Sequence, residues 1–273
     1  MILKTNLMDY QEVGVAKLLP LKIGALYMEM GTGKTRTALE IIVRRYEKEK
    51  LDKVVWLCPC SVQGNLKADL DKHSDGWQDI ICISGIESLS SSVRIYSELL
   101  STITRKTMLI IDESNLVKNH LAIRSRRIVA LAEHCKYRMI LNGTPISRNE
   151  TDLFNQWYIL DWRVLGYQSY YAFAANHVEY DDVTHRIRRT LNTDYLVAKI
   201  APYSYQVKRS ECMKLPEKEY LSWYWDMTSE QEAEYERVAN ILLMDVNEVL
   251  PSTIYRMFSG LQAVISGRYV NVD

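Results

Sequence analysis

Residues 23–46 constrain the chain more than any other stretch. A short apolar run, Ile23 to Tyr27, feeds the turn Met28-Glu29-Met30-Gly31-Thr32-Gly33-Lys34-Thr35, and that turn feeds a helical pattern. Ala38, Leu39, Ile42, Val43 and Tyr46 recur at intervals of three and four, the spacing of one helix face. Strand, glycine loop and helix in that order are the context of a phosphate-binding loop. Gly31 and Gly33 carry no Cβ, so successive backbone N–H groups can curl around an anion. A helix opening at Lys34 adds its unpaired N–H groups and the positive end of its dipole. Gly31, Thr32, Gly33, Lys34 and Thr35 are therefore the cofactor-binding candidates. Lys34 is placed to reach terminal phosphates, and the Thr35 hydroxyl to ligate magnesium. The strict pattern has glycine where this chain has Met28, but the core of the loop, residues 31–35, is intact.

A chain of 273 residues can bury a sizeable core, as one large domain or two small ones. Charge is balanced, 34 Lys+Arg against 34 Asp+Glu, so any nucleic-acid surface has to be local. Five cysteines form no C-x-x-C pair and no zinc spacing, which suits free thiols in a reducing compartment. No apolar run is long enough to span a bilayer, and the N-terminus has no secretory apolar core. The expectation is a cytoplasmic protein without a membrane partner.

Short apolar runs at 54–58, 80–83, 107–111 and 138–141 alternate with helical stretches at 64–73, 93–101 and 121–132. Continuous rather than alternating hydrophobicity marks strands covered on both faces. The fold expected is α/β, a three-layer parallel sheet with helices on both faces, whose ligands sit at the carboxyl ends of strands. A helix at 9–18, ended by Pro20, precedes it. After about Glu150 aromatic residues crowd a mostly helical insert, read as a packing module. Residues 203–208 and 221–227 alternate with period two and predict strands. Thr228-x-x-Gln231 is a capping box opening an apolar-faced helix, and a last helix follows Pro251. The expected division is 1–150 for the sheet lobe, 151–200 for the helical insert, and 201–273 for a linker and helical tail.

Asp112-Glu113 ends the run Met108-Leu109-Ile110-Ile111. Two carboxylates at a strand end, downstream of a phosphate loop, suit a motor ATPase. Asp112 would hold magnesium through its water shell, and Glu113 would polarise the attacking water.

Taken together these stretches resemble the first motor lobe of superfamily-two helicase-like proteins, in particular the Swi/Snf-type DNA translocases. Tyr10-Gln11 with Gly14-Val15 resembles their adenine-reading glutamine motif. Residues 29–35 resemble motif I, which in the family usually lacks the first glycine too. Leu57-Cys58-Pro59-Cys60-Ser61-Val62 resembles motif Ia, Asp112-Glu113-Ser114-Asn115 with Lys118-Asn119 resembles motif II, and Leu141-Asn142-Gly143-Thr144-Pro145-Ile146 resembles motif III. Ile200-Ala201-Pro202, Lys208-Arg209 and Leu215-Pro216-Glu217-Lys218 resemble the link between lobes. The resemblance implies a RecA-like lobe, ATP and magnesium as cofactors, and double-stranded DNA as partner. It assigns Gln11 to the adenine edge, and Lys34, Asp112 and Glu113 to catalysis. Asn115, Gly143 and Thr144 would couple the ATP site to DNA, and Pro59, Ser61 and Ser84 would contact the DNA backbone. Arg124, Arg126 and Arg127 on one helix, and Arg186, Arg188 and Arg189 on another, are further cationic clusters. Of these, Arg124 and Arg127 are the nucleic-acid candidates.

Two departures from the family pattern bear on function. Asn115 stands where the family usually has His, with Ser114 for the usual Ala. The motifs expected of a second lobe, including its arginine finger, are not recognisable. The expectation is half a motor, completed by a lobe in cis or in trans, that binds ATP and hydrolyses it poorly alone. The rivals are a nucleotide-dependent DNA-binding module without hydrolysis, and the motor lobe of a phage or restriction-type strand-separating helicase. The apolar stripes of the two tail helices lead to an expectation of self-association.

Overall fold

The computed structural model describes residues 1–146, 149–184, 186–212, 221–244 and 251–267. The elements in chain order are β1 (Ile2–Leu3), α1 (Asp9–Leu18), β2 (Ile23–Met28), α2 (Lys34–Glu47), β3 (Lys53–Cys58), α3 (Gln63–His73), β4 (Ser74–Asp75) and β5 (Ile81–Gly85). Then come α4 (Ser88–Ser91), α5 (Val93–Thr102), β6 (Thr107–Asp112), α6 (Ile123–His134), β7 (Tyr137–Asn142), α7 (Asp152–Leu165) and α8 (Tyr170–His177). The chain continues through β8 (Val178–Tyr180), β9 (Ile187–Thr190), α9 (Thr193–Ile200), β10 (Ser204–Val207), α10 (Arg209–Cys212), α11 (Ser229–Met244) and α12 (Pro251–Ile265).

Six strands form one parallel sheet in the order β10-β2-β7-β6-β3-β5. Side chains alternate across it with period two, and each face buries a separate apolar layer. Leu26, Met28, Val54, Trp56, Met108, Ile110, Met139 and Leu141 pack under α1, α2 and α3. Ala25, Tyr27, Val55, Leu57, Leu109, Ile111 and Ile140 pack under α6, α7 and α9. Both faces are dry, which is why these strands read as unbroken apolar runs. This is the three-layer α/β lobe expected.

The aromatic stretch is part of that second layer. Phe154 on α7 lies 5.2 Å from Phe173 on α8, ring centroid to centroid. Trp157 is fully buried and donates its indole N–H to the Tyr27 hydroxyl at 3.0 Å, tying α7 to β2.

Residues 204–207 form the strand expected of 203–208, an edge strand hydrogen-bonded to β2, and the first compact unit runs from Met1 to Leu215. Two other stretches differ from expectation. Arg188 and Arg189 do not lie on a helix. They sit on β9 of an antiparallel hairpin, where both reach Glu179 of β8, at 3.2 and 2.7 Å. Residues 221–227 alternate in sequence yet form no strand, because no neighbouring strand supplies the ladder. The Leu215-Pro216-Glu217-Lys218 stretch and Val246 lie outside the described residues.

The second unit spans Pro216 to Asp273. Its capping box is formed: the Gln231 N–H donates to the Thr228 hydroxyl at 3.2 Å, and the Thr228 N–H donates to the Gln231 side chain at 3.0 Å. Within this unit α11 and α12 cover each other through Val238 and Val264, flanked by Tyr235 and Leu261. Part of each apolar stripe is thereby buried against the other helix, while Tyr255 and Phe258 remain exposed.

Candidate functional site

The sheet order brings three sequence stretches together. β2, β7 and β6 are consecutive neighbours, so the loops leaving their carboxyl ends lie side by side. These loops carry Gly31–Thr35, Asn142–Pro145 and Asp112-Glu113.

Gly31 and Gly33 both take left-handed backbone, with φ of 83° and 84°, a region glycine enters without steric cost. Any side chain at Gly33 would also collide with the Gln11 amide. The loop is braced from within, since the Thr32 N–H and hydroxyl both donate to the Glu29 carbonyl, at 3.2 and 2.7 Å. It is braced from outside by α1. Buried Gln11 donates to the Thr32 carbonyl at 3.0 Å and accepts from the Met8 N–H at 3.0 Å, and the Tyr10 hydroxyl donates to the same Thr32 carbonyl at 3.2 Å. Gln11 thus touches the loop directly, with one N–H and one lone pair not engaged among the described residues. Lys34 opens α2 and donates to the Met28 carbonyl at 2.9 Å, with Thr35 beside it.

Across β7, Asp112 accepts the Glu113 N–H at 3.0 Å. Burial, and then the Glu113 charge, push the Asp112 carboxyl up to about 6, against the opposing pull of the Glu113 N–H and Lys34. Lys34 is therefore within electrostatic reach of Asp112. Glu113 has φ 50° and ψ 57°, left-handed backbone for a residue with a side chain. That geometry costs on the order of 1 kcal/mol and is concentrated at functional sites.

The loop after β7 joins the other two. A Cβ on Gly143 would stand 3.5 Å from the Met28 carbonyl and 3.6 Å from the Met30 nitrogen, so this glycine lies against the entrance of the phosphate loop. The Thr144 N–H donates to Asn142 Oδ1 at 3.0 Å, and Asn142 Nδ2 donates to Ser114 Oγ at 3.2 Å. The Ser114 hydroxyl donates to Gln156 Oε1 at 2.5 Å, and Gln156 Nε2 donates to the Pro145 carbonyl at 2.9 Å. In this network the polar link after Asp112-Glu113 is Ser114. Asn115 Oδ1 is buried without a partner among the described residues.

At the far edge, β3 pairs with β5 so that Leu57 lies opposite Ser84 and Cys58 opposite Gly85. Pro59 and Ser61 follow directly, placing all three backbone-contact candidates on adjacent strand ends. The Cys60 N–H is already held by Glu87 Oε2 at 2.9 Å. Arg124 donates to the Leu116 carbonyl at 2.9 Å, and Arg127 to the carbonyls of Leu89 and Ser92 at 2.7 and 3.2 Å. Both arginines thus spend donors on fastening α6 to the turn at Leu116 and to α4 and the residue after it.

Sequence reasoning missed Gln156 and Arg209 as parts of this site. The Arg209 N–H donates to Glu29 Oε2 at 2.8 Å, and its guanidinium carbon lies 4.0 Å from where a Cβ on Gly31 would stand. The signal was present in the alternation of residues 203–208. A strand there, beside β2, delivers the next residues to the phosphate loop.

Known proteins share this architecture. A curated Caenorhabditis elegans protein, a homolog of SWI/SNF-related matrix-associated actin-dependent regulator of chromatin subfamily A-like protein 1, is 26% identical over 189 residues, covering 64% of this chain and 26% of its own length. The Sulfolobus solfataricus SWI2/SNF2 ATPase core in complex with dsDNA superposes with a TM-score of 0.62 at 23% identity, over 96% of this chain and 59% of that one. The Sulfolobus solfataricus SWI2/SNF2 ATPase core domain gives 0.59 at 22% identity, over 96% and 57%. The chain spans about a quarter of the curated relative and under three fifths of the solved cores. The SNF2-related domain family matches residues 10–264, nearly the whole chain, and the protein belongs to that family.

Proposed function

We propose that this chain is the ATP-binding lobe of a DNA-dependent ATPase that translocates along double-stranded DNA. The observation that carries the reading is the meeting of three loops on β2, β7 and β6. Phosphate loop, carboxylate pair and coupling loop touch through Gly143 and through the Asn142–Ser114 hydrogen bond. The similar Sulfolobus solfataricus core was solved in complex with dsDNA, which supports duplex DNA as the partner here.

The residues fit ATP and magnesium. Left-handed Gly31 and Gly33 leave backbone N–H groups free to cradle phosphate. Among the described residues no group of three or more His, Cys, Asp or Glu is arranged to hold a metal. That suits magnesium, which takes one or two protein oxygens plus waters and substrate phosphates. Thr35 and Asp112 would supply those oxygens, and the ion would neutralise charge on the phosphates. Lys34 moves from the Met28 carbonyl to the terminal phosphates. Glu113 orients and polarises the attacking water. Gln11 selects the base through its remaining N–H and lone pair, and Gly143 and Thr144 carry the DNA-bound state to the phosphate loop. Pro59, Ser61 and Ser84 contact the DNA backbone, positioning it without reading sequence.

Hydrolysis in this reading needs an arginine from a second lobe, a contribution worth about 10³–10⁵ in rate. The chain alone binds ATP and turns it over slowly. Tyr255 and Phe258 give the tail an apolar surface for self-association or for that lobe. A second reading, a nucleotide-dependent DNA-binding module without hydrolysis, is favoured by the unpartnered oxygen of Asn115 at a coupling position. A steady-state ATPase assay with and without duplex DNA, before and after adding a family second lobe, separates the two. Duplex-stimulated turnover that appears with the lobe and disappears in Glu113→Gln supports the motor. Nucleotide binding with no turnover in any combination supports the module.

A further inference from the structure

The amino ends of the same strands carry a second cationic surface. Lys22 immediately precedes β2 and Lys136 immediately precedes β7. They lie a full strand away from the phosphate loop, about 20 Å for six residues. Around them is a half-open cavity of about 550 Å³ lined by Lys22, Arg44, Arg45, Lys48, Lys50 and Lys136, with no carboxylate in its lining. Glu47 and Glu49 alternate with the lysines in sequence but do not line it. A second cavity of about 480 Å³ shares Lys22 and Lys136 and adds Arg138 and Arg163. Its one acid, Asp161, is paired with Arg163 at 2.8 Å.

The charge here is largely uncompensated. Arg44 is paired with Glu40 and Glu12, at 2.7 and 3.1 Å. Lys22, Lys48, Lys50 and Lys136 are exposed and have no carboxylate partner among the described residues. Arg45 forms the floor, only 3% exposed, 4.2 Å over the Tyr137 ring. It donates to the carbonyls of Leu18, Leu19 and Leu21, and its Nε has no partner among the described residues. A buried guanidinium without a counter-charge lies beneath a rim of exposed lysines, in a chain whose net charge is zero.

We infer that this tract binds the phosphodiester backbone of a nucleic acid, at a face separate from the strand carboxyl ends. It extends the DNA reading above to a second face and takes the partner's class from it. An extended row of cations across two adjoining cavities matches a repeating line of phosphates. A lipid surface would require large apolar side chains beside the lysines, and none of the exposed large hydrophobics lines either cavity. A protein partner would call for an exposed aromatic anchor, whereas the Tyr137 ring is buried and Tyr203, in the second cavity, is half-buried.

The test is anisotropy of a fluorescein-labelled duplex, titrated at several salt concentrations. It compares wild type with the variant K22A/K48A/K50A/K136A, with ATP affinity measured on both as a check of the fold. The variant should bind at least tenfold more weakly at low salt and keep its ATP affinity. Its salt slope should be shallower by about 3.6, at roughly 0.9 for each of the four lost phosphate contacts. Unchanged affinity and slope in the variant, with wild type binding the duplex, overturn the second face alone. No duplex binding by wild type overturns this inference together with the DNA partner. Anionic phospholipid vesicles and a glutamate-rich peptide run in parallel. Loss of binding to either, with duplex binding intact, overturns the nucleic-acid assignment.

Discussion

Asn142 Nδ2 donates to Ser114 Oγ at 3.2 Å, joining the loop after β7 to the loop that carries Asp112 and Glu113. Ser114 is fully buried and donates its own hydroxyl proton to Gln156. Ser114→Ala leaves the Asn142 and Gln156 groups short of a partner, at a cost of about 1–3 kcal/mol. Urea denaturation should show a lowered midpoint with an unchanged slope. In the completed motor the same change should lower stimulation by DNA more than it lowers basal turnover.

Asp112 sets a pH dependence in the metal-free chain. Its folded value, about 6, lies above the ordinary carboxylate range because of burial first and Glu113 second. A raised carboxyl binds its proton more tightly in the folded state, so ionising it costs stability above pH 6. That cost shrinks as pH falls through 6 and is gone below about 4. Asp112→Asn should therefore stabilise the chain at pH 8, by about 3 kcal/mol, and hardly at all at pH 4. Thermal midpoints measured in chelator at the two pH values check this. An equal gain at both would remove the titration of Asp112 as its cause.

Arg209, which the sequence placed only in a stretch resembling the link between lobes, adds a cation beside Gly31. A charge-assisted hydrogen bond to phosphate is worth about 1.5–3 kcal/mol, so Arg209→Ala should weaken ATP about tenfold to a hundredfold. Arg209→Lys should recover part of that, and the affinity for adenosine should stay the same in both. Calorimetric titrations of the two ligands provide the comparison. An equal loss for adenosine would mean that Arg209 acts through the shape of the loop.

The sheet was legible because its strands are covered on both faces. Runs such as Val54-Val55-Trp56-Leu57-Cys58 have no polar side to confuse with a helix. The glycine loop was legible because its chemistry is contiguous. The pairing of β10 with β2 was not, since a four-residue strand does not name its neighbour. The same holds for residues 221–227, whose alternation had no ladder to join. Arg188 and Arg189 were misread because two arginines report charge and not backbone, and Glu179, which fixes them, lies across a turn. Of the residues proposed to couple the ATP site to DNA, Gly143 and Thr144 were visible in their motif. The Ser114–Gln156 bond spans 42 positions and only the fold brings it together.

The central claim is that Gly31–Thr35 binds the phosphates of ATP, and calorimetric titration of ATP with magnesium into wild type and Lys34→Ala tests it most directly. The Lys34 side chain is partly exposed and, among the described residues, hydrogen-bonds only to the Met28 carbonyl, so the variant should keep its fold by circular dichroism. The account predicts saturable one-to-one binding to wild type and no measurable heat of binding to the folded variant. Equal affinity in the two proteins would contradict it.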